Sequence, residues 1–159
     1  MNLAIFTLIH VLISLAGIGT GFAVVGGWLS GKHLPKWTAW FLATTALTSL
    51  TGFFFPFKGF TPPYAFAVLS LLVLALASYA LYSRRLHGRW RNAYVICAAT
   101  ALYLNFFVLI AQLFLRSPAL HELAPTGSEP AFGITQGLLL LLFIGLGRAA
   151  LRRFPSVPA

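Results

Sequence analysis

Long apolar stretches alternate with short polar connections along the chain, and five of these stretches are long enough to form membrane-spanning helices. A hydrocarbon core about 30 Å thick takes about 20 helical residues to cross. The pattern therefore predicts an all-α integral membrane bundle of five transmembrane helices, folded as a single domain. The predicted spans are residues 3–29, 37–55, 64–82, 93–115 and 131–146.

The composition excludes a soluble domain. Charged residues make up 8% of the chain and the mean hydropathy is +0.88, whereas soluble domains carry about a quarter charged residues. The net charge of +9 would suit nucleic acid, but the basic residues form short clusters rather than the continuous surface that phosphate contacts need. We therefore expect no nucleic-acid partner. The first span has no basic residue before it and exceeds the apolar region of a secretory signal, so we expect it to be retained.

The basic residues lie almost entirely in every second connection. Lys32 and Lys36 follow the first span, four arginines in residues 84–91 follow the third, and three in residues 148–153 follow the fifth. Because Lys and Arg are retained on the cytoplasmic side, these clusters predict an outer amino terminus and an inner carboxyl terminus. We expect a multi-pass protein of the bacterial inner membrane, with anionic lipid headgroups as partners on the cytoplasmic side.

Aromatic residues mark both predicted membrane boundaries. Tryptophan prefers the membrane interface, and the four tryptophans of the chain all fall near the inner one. Phenylalanines mark the outer boundary instead. They are Phe53, Phe54, Phe55, Phe57 and Phe60.

A hydrophilic periplasmic loop, residues 117–130, holds the only two carboxylates of the chain, Glu122 and Glu129, together with His121. We expect a short helix over residues 118–123. The next long helix is expected to begin beside Glu129, whose charge suits the positive end of the helix dipole. Because the few groups suited to chemistry are concentrated here, the loop is the first candidate for function.

Polar side chains within the spans converge on the outer half of the bundle, beneath this loop. In lipid a polar side chain is costly and faces another helix or a cavity, and a rise of about 1.5 Å per residue gives its depth. Loop and spans together predict a periplasm-facing polar pocket, with the loop as its lid and His10, Gln112 and Gln136 as its floor. The candidate pocket residues are His10, Thr48, Thr51, Asn105, Gln112, His121, Glu122, Glu129 and Gln136.

Each of these features also has a purely structural interpretation, which the sequence leaves open. The hydroxyl groups can bond backbone carbonyls of their own helix, and the amides can bond between helices. Glycine pairs at Gly17/Gly21 and Gly133/Gly137 favour close packing inside the bundle over a dimer contact. Cys97 lies in an apolar stretch, as expected for a buried, inert thiol.

Cofactor chemistry has little support in the sequence. No catalytic residues are predicted, and no metal-binding spacing such as H-x-x-x-H occurs. A haem held by two imidazoles would need His10 and His121, the second from a loop folded into the bundle. A quinone pocket needs an aromatic wall and one or two hydrogen-bonding groups, which the phenylalanines with His10, Gln112 and Gln136 could provide. Proton-coupled transport of a small solute would depend on His10, the one ionisable candidate within a span.

Three segments resemble a group of small polytopic bacterial inner-membrane proteins that have no assigned activity. The segments are T-S-L-T-G-F-F-F-P-F at 48–57, Y-L-N-F-F-V-L-I-A-Q at 103–112 and P-A-L-H-E-L-A-P-T-G-S-E-P-A-F at 118–132. Members of that group read L-A-P-T-x-S-E-P-P-F in the loop, where this chain has Ala131 in place of the second proline. The resemblance implies an inner-membrane protein and supplies no catalytic residues.

Membrane class, topology and the outer pocket together favour a non-enzymatic protein that binds a small molecule or supports a membrane-protein partner. A redox component that binds haem or quinone through His10 is the first alternative. A small-solute transporter is the second.

Overall fold

The computed structural model describes residues 2–55 and 62–155, and within those ranges every regular element is helical. The helices are α1 (Leu3–Leu29), α2 (Pro35–Gly52), α3 (Pro62–Ser78), α4 (Arg89–Arg116), α5 (Pro118–Leu123) and α6 (Pro130–Arg153). A π-helical turn at Tyr79–Ser83 continues α3. The all-α class predicted from the sequence is thereby confirmed.

Four of the described helices are long and apolar enough to cross a membrane: α1, the continuous segment Tyr64–Ser83, α4 and α6. Four such helices indicate a multi-pass helical membrane protein. The predicted count of five spans is not matched, because α2 contains a lysine, a proline and several threonines that lower its hydropathy.

Helix boundaries differ from the predicted spans most at the carboxyl side of α6. The helix continues past residue 146 to Arg153, and Arg152 and Arg153 stabilise its last turn by placing positive charge at the negative end of the helix dipole. α2 ends at Gly52 rather than at residue 55. Two of the phenylalanines expected at the outer boundary, Phe57 and Phe60, lie outside the described residues.

Three helices begin earlier than predicted because proline opens them. Pro35, Pro62 and Pro130 start α2, α3 and α6, at a position where the missing N–H of proline leaves no hydrogen bond unmade. α4 likewise begins at Arg89 rather than at residue 93. A span prediction counts apolar residues, whereas the helix extends through polar residues until its backbone hydrogen bonds end.

The first four helices form a closed ring. α1 packs against α2, α2 against α3, α3 against α4, and α4 against α1, while α6 lies outside the ring in contact with α4 and α1. One end of the bundle holds the α1–α2 and α3–α4 connections, the carboxyl end of α6 and the clusters of lysine and arginine; we call it the basic end. The opposite end holds both glutamates, and we call it the acidic end.

Aromatic packing closes the basic end. The rings of Trp28 and Tyr94 pack edge to face with centroids 5.5 Å apart, and each lies 6.2 Å from the ring of Phe154. All three side chains are almost completely buried. Arg91 joins the same corner by donating to the backbone carbonyls of Leu151, at 2.9 Å, and of Phe154. α1, α4 and α6 are therefore held together at this end.

The two glycine pairs have different surroundings. A methyl group at Gly21 would lie 2.5 Å from Leu102 and 3.0 Å from Phe41, so α1 approaches its neighbours closely there. This close approach confirms internal packing for the first pair. The same prediction is wrong for Gly133 and Gly137, which are exposed and would meet no heavy atom within 4 Å. The reason is that α6 lies outside the ring and buries a different face against it.

Candidate binding cavity

A cavity of about 550 Å³ lies among α1, α2, α3 and α4 at the acidic end of the bundle. α1 and α4 line it with residues three and four positions apart, the spacing that places side chains on one helical face. Aliphatic and aromatic side chains, including Phe55 and Phe66, form much of the wall. Its polar residues are Thr7, His10, Ser14, Thr48, Ser49, Tyr64, Ser70, Asn105, Gln112 and Arg116.

His10 lines this cavity from α1 and is tied to Thr51 of α2, with His10 Nδ1 2.8 Å from Thr51 Oγ1. The Thr51 hydroxyl donates its single proton to the carbonyl of Leu47 at 2.7 Å, so its oxygen accepts and Nδ1 carries the imidazole proton. Nε2 is then a hydrogen-bond acceptor, and it has no partner among the residues that the structure describes. The imidazole also packs edge-on against Phe55, at 5.1 Å between centroids.

Asn105 marks the floor of the cavity near the middle of α4, and it is only 8% exposed. Its Oδ1 accepts a hydrogen bond from the Ser14 hydroxyl at 2.8 Å. The amide nitrogen Nδ2 has no partner within residues 2–55 and 62–155. Gly17 leaves space beside it, since a methyl group there would lie 3.2 Å from Nδ2. A buried unpaired donor costs about 1–3 kcal/mol. A ligand oxygen that accepts a hydrogen bond from Nδ2 would remove this cost.

Gln112 and Arg116 continue the polar face of α4 toward the mouth of the cavity. Arg116 Nε donates to Gln112 Oε1 at 3.1 Å. In the described part of the chain the guanidinium forms no ion pair, although both glutamates belong to this end. Arg116 was not among the predicted pocket residues, although its position four residues after Gln112 on the same helical face is a signal for it. Thr7 and Ser14 were missed as well, although they share a face of α1 with the imidazole.

Hydroxyl groups on α2 bond their own backbone, as one of the structural interpretations expected. Thr44, Thr48 and Thr51 donate to carbonyls four residues earlier, at 2.7–2.9 Å. Ser49 does the same and also bonds the hydroxyl of Ser70 on α3 at 3.0 Å, which joins two walls of the cavity. Ser70 was missed because a single serine in an aliphatic stretch does not indicate which helix it meets.

Five predicted pocket residues do not line the cavity: Thr51, Gln136, His121, Glu122 and Glu129. Thr51 bonds the imidazole of His10 without lining the cavity itself. Gln136 is buried between α6 and α4, where its Nε2 donates to the carbonyl of Phe107 at 3.1 Å. His121 and Glu122 are exposed on α5. Gln136 lies at a depth similar to that of the cavity residues. It does not reach the cavity wall, because its helix, α6, lies outside the ring.

Glu129 occupies the N-cap position of α6, but its carboxylate bonds back into the loop rather than to the first helical turn. It accepts hydrogen bonds from the N–H and hydroxyl of Thr126, at 3.0 and 2.9 Å, and from the N–H of Ser128 at 3.1 Å. Desolvation opposes ionisation, but these hydrogen bonds stabilise the charged form more, so the pKa of Glu129 lies below its usual range. Glu129 therefore stabilises the loop.

The chemistry of the wall favours hydrogen bonding over metal or haem ligation. The described residues contain no group of three metal-ligating side chains. A haem held by two imidazoles is not assembled, because His121 does not line the cavity with His10. The wall offers an acceptor at His10 and donors at Asn105 and Arg116. Such a set suits a molecule with several oxygen acceptors and one hydroxyl or amine donor.

No protein-family model, curated protein or solved structure matches this chain. The resemblance to small bacterial inner-membrane proteins therefore stays a prediction carried by three sequence segments. Function is inferred from the residues of the cavity.

Proposed function

We propose that this chain is a multi-pass protein of the bacterial inner membrane that binds a small molecule from the periplasmic side without transforming it. The observation that carries the proposal is the cavity of about 550 Å³, which has a free acceptor at His10 Nε2 and a free donor at Asn105 Nδ2 among the described residues. Binding pockets of small molecules have this size and this mixture of apolar wall and few polar groups. Bound ligand would satisfy these two groups of the cavity wall.

The proposed topology has five spans, with the basic end in the cytoplasm. α2 is the fifth span, because it completes the ring between α1 and α3. Its threonines bond carbonyls of their own helix, which lowers the cost of placing hydroxyls in lipid. The lysines and arginines of the basic end then follow the positive-inside rule and contact anionic headgroups.

The wall also defines the chemistry of the ligand. Asn105, Gln112 and Arg116 lie on one face of α4 over about 16 Å of helix, and they supply amide and guanidinium donors. His10 on α1 supplies an acceptor. The described wall holds one cation and no carboxylate. The ligand is therefore neutral or anionic, with carbonyl or carboxylate oxygens toward α4 and a hydroxyl or N–H toward His10.

A non-enzymatic role follows from the same residues. A nucleophilic side chain within reach of a base is the usual mark of covalent catalysis, but Nδ1 of His10 holds the Thr51 hydroxyl while that hydroxyl donates to a backbone carbonyl. The pair is arranged to fix the imidazole rather than to activate the hydroxyl. Ligand capture, on its own or for a membrane-protein partner, is the activity that this arrangement supports.

The direct test is to purify the protein in lipid nanodiscs and identify copurifying molecules by mass spectrometry. Wild-type protein is expected to retain one molecule per chain, and Asn105→Leu is expected to lose it. Gln136→Leu is the matched control, since it removes a buried amide that does not line the cavity. Absence of any molecule from the wild type, or equal retention by both variants, would contradict the proposal.

Topology has a separate test. With Cys97 replaced by alanine, Leu123→Cys on α5 is expected to react with a membrane-impermeant maleimide added to intact spheroplasts, because Leu123 is 60% exposed at the acidic end. Ser83→Cys at the basic end is the matched control and should react only after the cells are opened. The reverse labelling pattern would overturn the orientation.

A quinol or quinone is the second candidate ligand, since the free Nε2 of His10 would accept a quinol proton next to the aromatic ring of Phe55. Solvent extraction of the purified protein should then yield a quinone whose amount falls in His10→Ala. A Soret band in the visible spectrum would instead indicate haem. A bound ligand that is neither a quinone nor a haem would favour the first proposal, a small molecule that the protein binds without transforming it.

A further inference from the structure

A second groove, of about 230 Å³, runs along the outside of the bundle between α4 and α6 toward the basic end. Residues three and four apart on each helix line it, among them Ile96 of α4 and Leu140 and Ile144 of α6. These three apolar side chains are exposed, so the groove opens toward lipid rather than into the ring. It shares no lining residue with the cavity.

Small residues produce the groove. A methyl group added at Gly147 of α6 would meet no heavy atom within 4 Å, and Ala99 lines the opposite wall on α4. The two helices nevertheless pack against each other. The gap between them therefore follows from the side chains at these positions rather than from separation of the helices.

Two hydroxyl groups that line the groove, those of Thr100 and Tyr103, have no partner in the described part of the chain. Thr100 differs in this respect from Thr20, Thr44 and Thr135, which donate to carbonyls four residues earlier in their helices. An unpaired hydroxyl in an apolar environment is costly. Ester carbonyls of a phospholipid would supply the missing acceptors.

Arg148 lines the part of the groove that faces the basic end, and it is exposed without a partner among the described residues. Arg152 and Arg153 follow about one turn later, whereas both carboxylates of the chain belong to the acidic end. The groove continues from Arg148 to Leu140, about 12 Å along α6. A negative headgroup beside Arg148 would thus place an acyl chain along the apolar wall.

We propose that this groove binds one anionic phospholipid, with an acyl chain between α4 and α6 and its phosphate on Arg148. The site differs from general attraction to the basic end, because it requires a gap of defined shape beside one arginine. It depends on the proposed membrane location but not on any ligand of the cavity. Failure of one site therefore leaves the other unaffected.

The test is native mass spectrometry of the full chain in detergent, titrated with phosphatidylglycerol or phosphatidylcholine. We expect one tightly bound phosphatidylglycerol and weaker binding of phosphatidylcholine. Arg148→Gln should weaken phosphatidylglycerol binding about tenfold, the effect of losing one hydrogen bond between charged groups. Arg152→Gln is the matched control: it removes the same charge from the same helix outside the groove and should stay within about twofold of wild type.

Gly147→Leu tests the shape of the site, since a Cβ at this position meets nothing within 4 Å and the longer side chain would extend into the groove. Loss of the bound lipid with an unchanged helical circular dichroism spectrum is the expected result. Equal weakening by Arg148→Gln and Arg152→Gln would show only diffuse attraction and would overturn the proposal. Wild-type binding by Gly147→Leu, or displacement of the lipid by inorganic phosphate alone, would overturn it as well, because the acyl chain would then contribute nothing.

Discussion

The basic and acidic halves of the bundle differ in how the same helices are packed. In α1 the described residues before Gly17 are at least partly exposed, whereas Gly17, Ile18, Gly21, Val24 and Trp28 are among those buried toward the basic end. Both halves of the helix are apolar, but its five glycines all lie from Gly17 onward, and some of them allow neighbouring side chains to approach closely. Close contacts fill the basic half, and a cavity with hydrogen-bonding groups occupies the acidic half. Packing stability and ligand chemistry are thus separated along the length of single helices.

Truncation of Trp28 should have the largest effect. Trp28 is 2% exposed against Tyr94 and Phe154, so Trp28→Ala leaves a cavity and is expected to cost about 3–5 kcal/mol of unfolding free energy. The measurement is SDS titration of the protein in mixed micelles. Trp40→Ala is the matched control, because Trp40 is 65% exposed. Similar losses of unfolding free energy in both variants would contradict the conclusion that the basic half is more tightly packed than the acidic half.

Adding a methyl group to Gly21 tests the close approach of α1. Gly21→Ala would bring the new carbon within 2.5 Å of the buried Leu102, and we expect a loss of about 1–3 kcal/mol from overpacking. Gly19→Ala, half a turn away, meets nothing within 4 Å. That control should gain up to about 1 kcal/mol from helix propensity. A Gly21→Ala variant as stable as Gly19→Ala would contradict the packing described for the ring.

Removal of the polar pair on the cavity floor should stabilise the ligand-free protein. The double variant Ser14→Ala/Asn105→Leu eliminates the unpaired Nδ2 together with the bond to Ser14, and we expect a gain of about 1 kcal/mol in the same titration. Gln136→Leu removes the bond to Phe107 together with the unpaired Oε1, and we expect it to change stability by less than about 1 kcal/mol. A large loss in the double variant would show that Asn105 serves packing rather than binding.

Thr51 is expected to set the tautomer of His10. Thr51→Val removes the acceptor of the Nδ1 proton and should cost about 0.5–1.5 kcal/mol. Nitrogen-15 chemical shifts of the imidazole provide the measurement, since wild type should show a protonated Nδ1 and the variant a mixture of tautomers. Thr48→Val, whose hydroxyl bonds only its own helix at 2.9 Å, should leave the shifts unchanged. Identical shifts in Thr51→Val would contradict the assignment of Nε2 as the acceptor.

The smallest expected effect concerns the pH dependence of the loop at the acidic end. The pKa of Glu129 is depressed in the folded protein, so its contribution is present above the unfolded carboxyl pKa and is lost as the pH falls through the lower folded value. Amide shifts of Thr126 and Ser128 should therefore change at a pH below the usual pKa of a glutamate carboxyl group. Glu129→Gln should abolish this change and Glu122→Gln should not. A titration that follows Glu122 would contradict the hydrogen bonds assigned to Glu129.

Part of this arrangement was predictable from local sequence. The candidates His10, Thr48, Asn105 and Gln112 do line one cavity, because depth in the membrane and the face of a helix both follow from residue spacing. Other features were not predictable in this way. Gln136 has a similar depth on a helix outside the ring, whereas Ser70, a lone serine in an aliphatic stretch, lines the cavity. The period of polar residues along a helix shows which face is polar, but it does not show which other helix packs against that face.

The sequence by itself determined the helical membrane class, the approximate positions of the long helices, the separation of charge between the two ends and the level at which polar residues accumulate. These properties depend on hydropathy, length and helical period, which are local. Tertiary structure alone decided which polar faces meet, which glycines pack internally and where groups stay unpaired. Each of these depends on the order of helices around the ring and on their rotation, and many arrangements of similar burial are compatible with one hydropathy pattern.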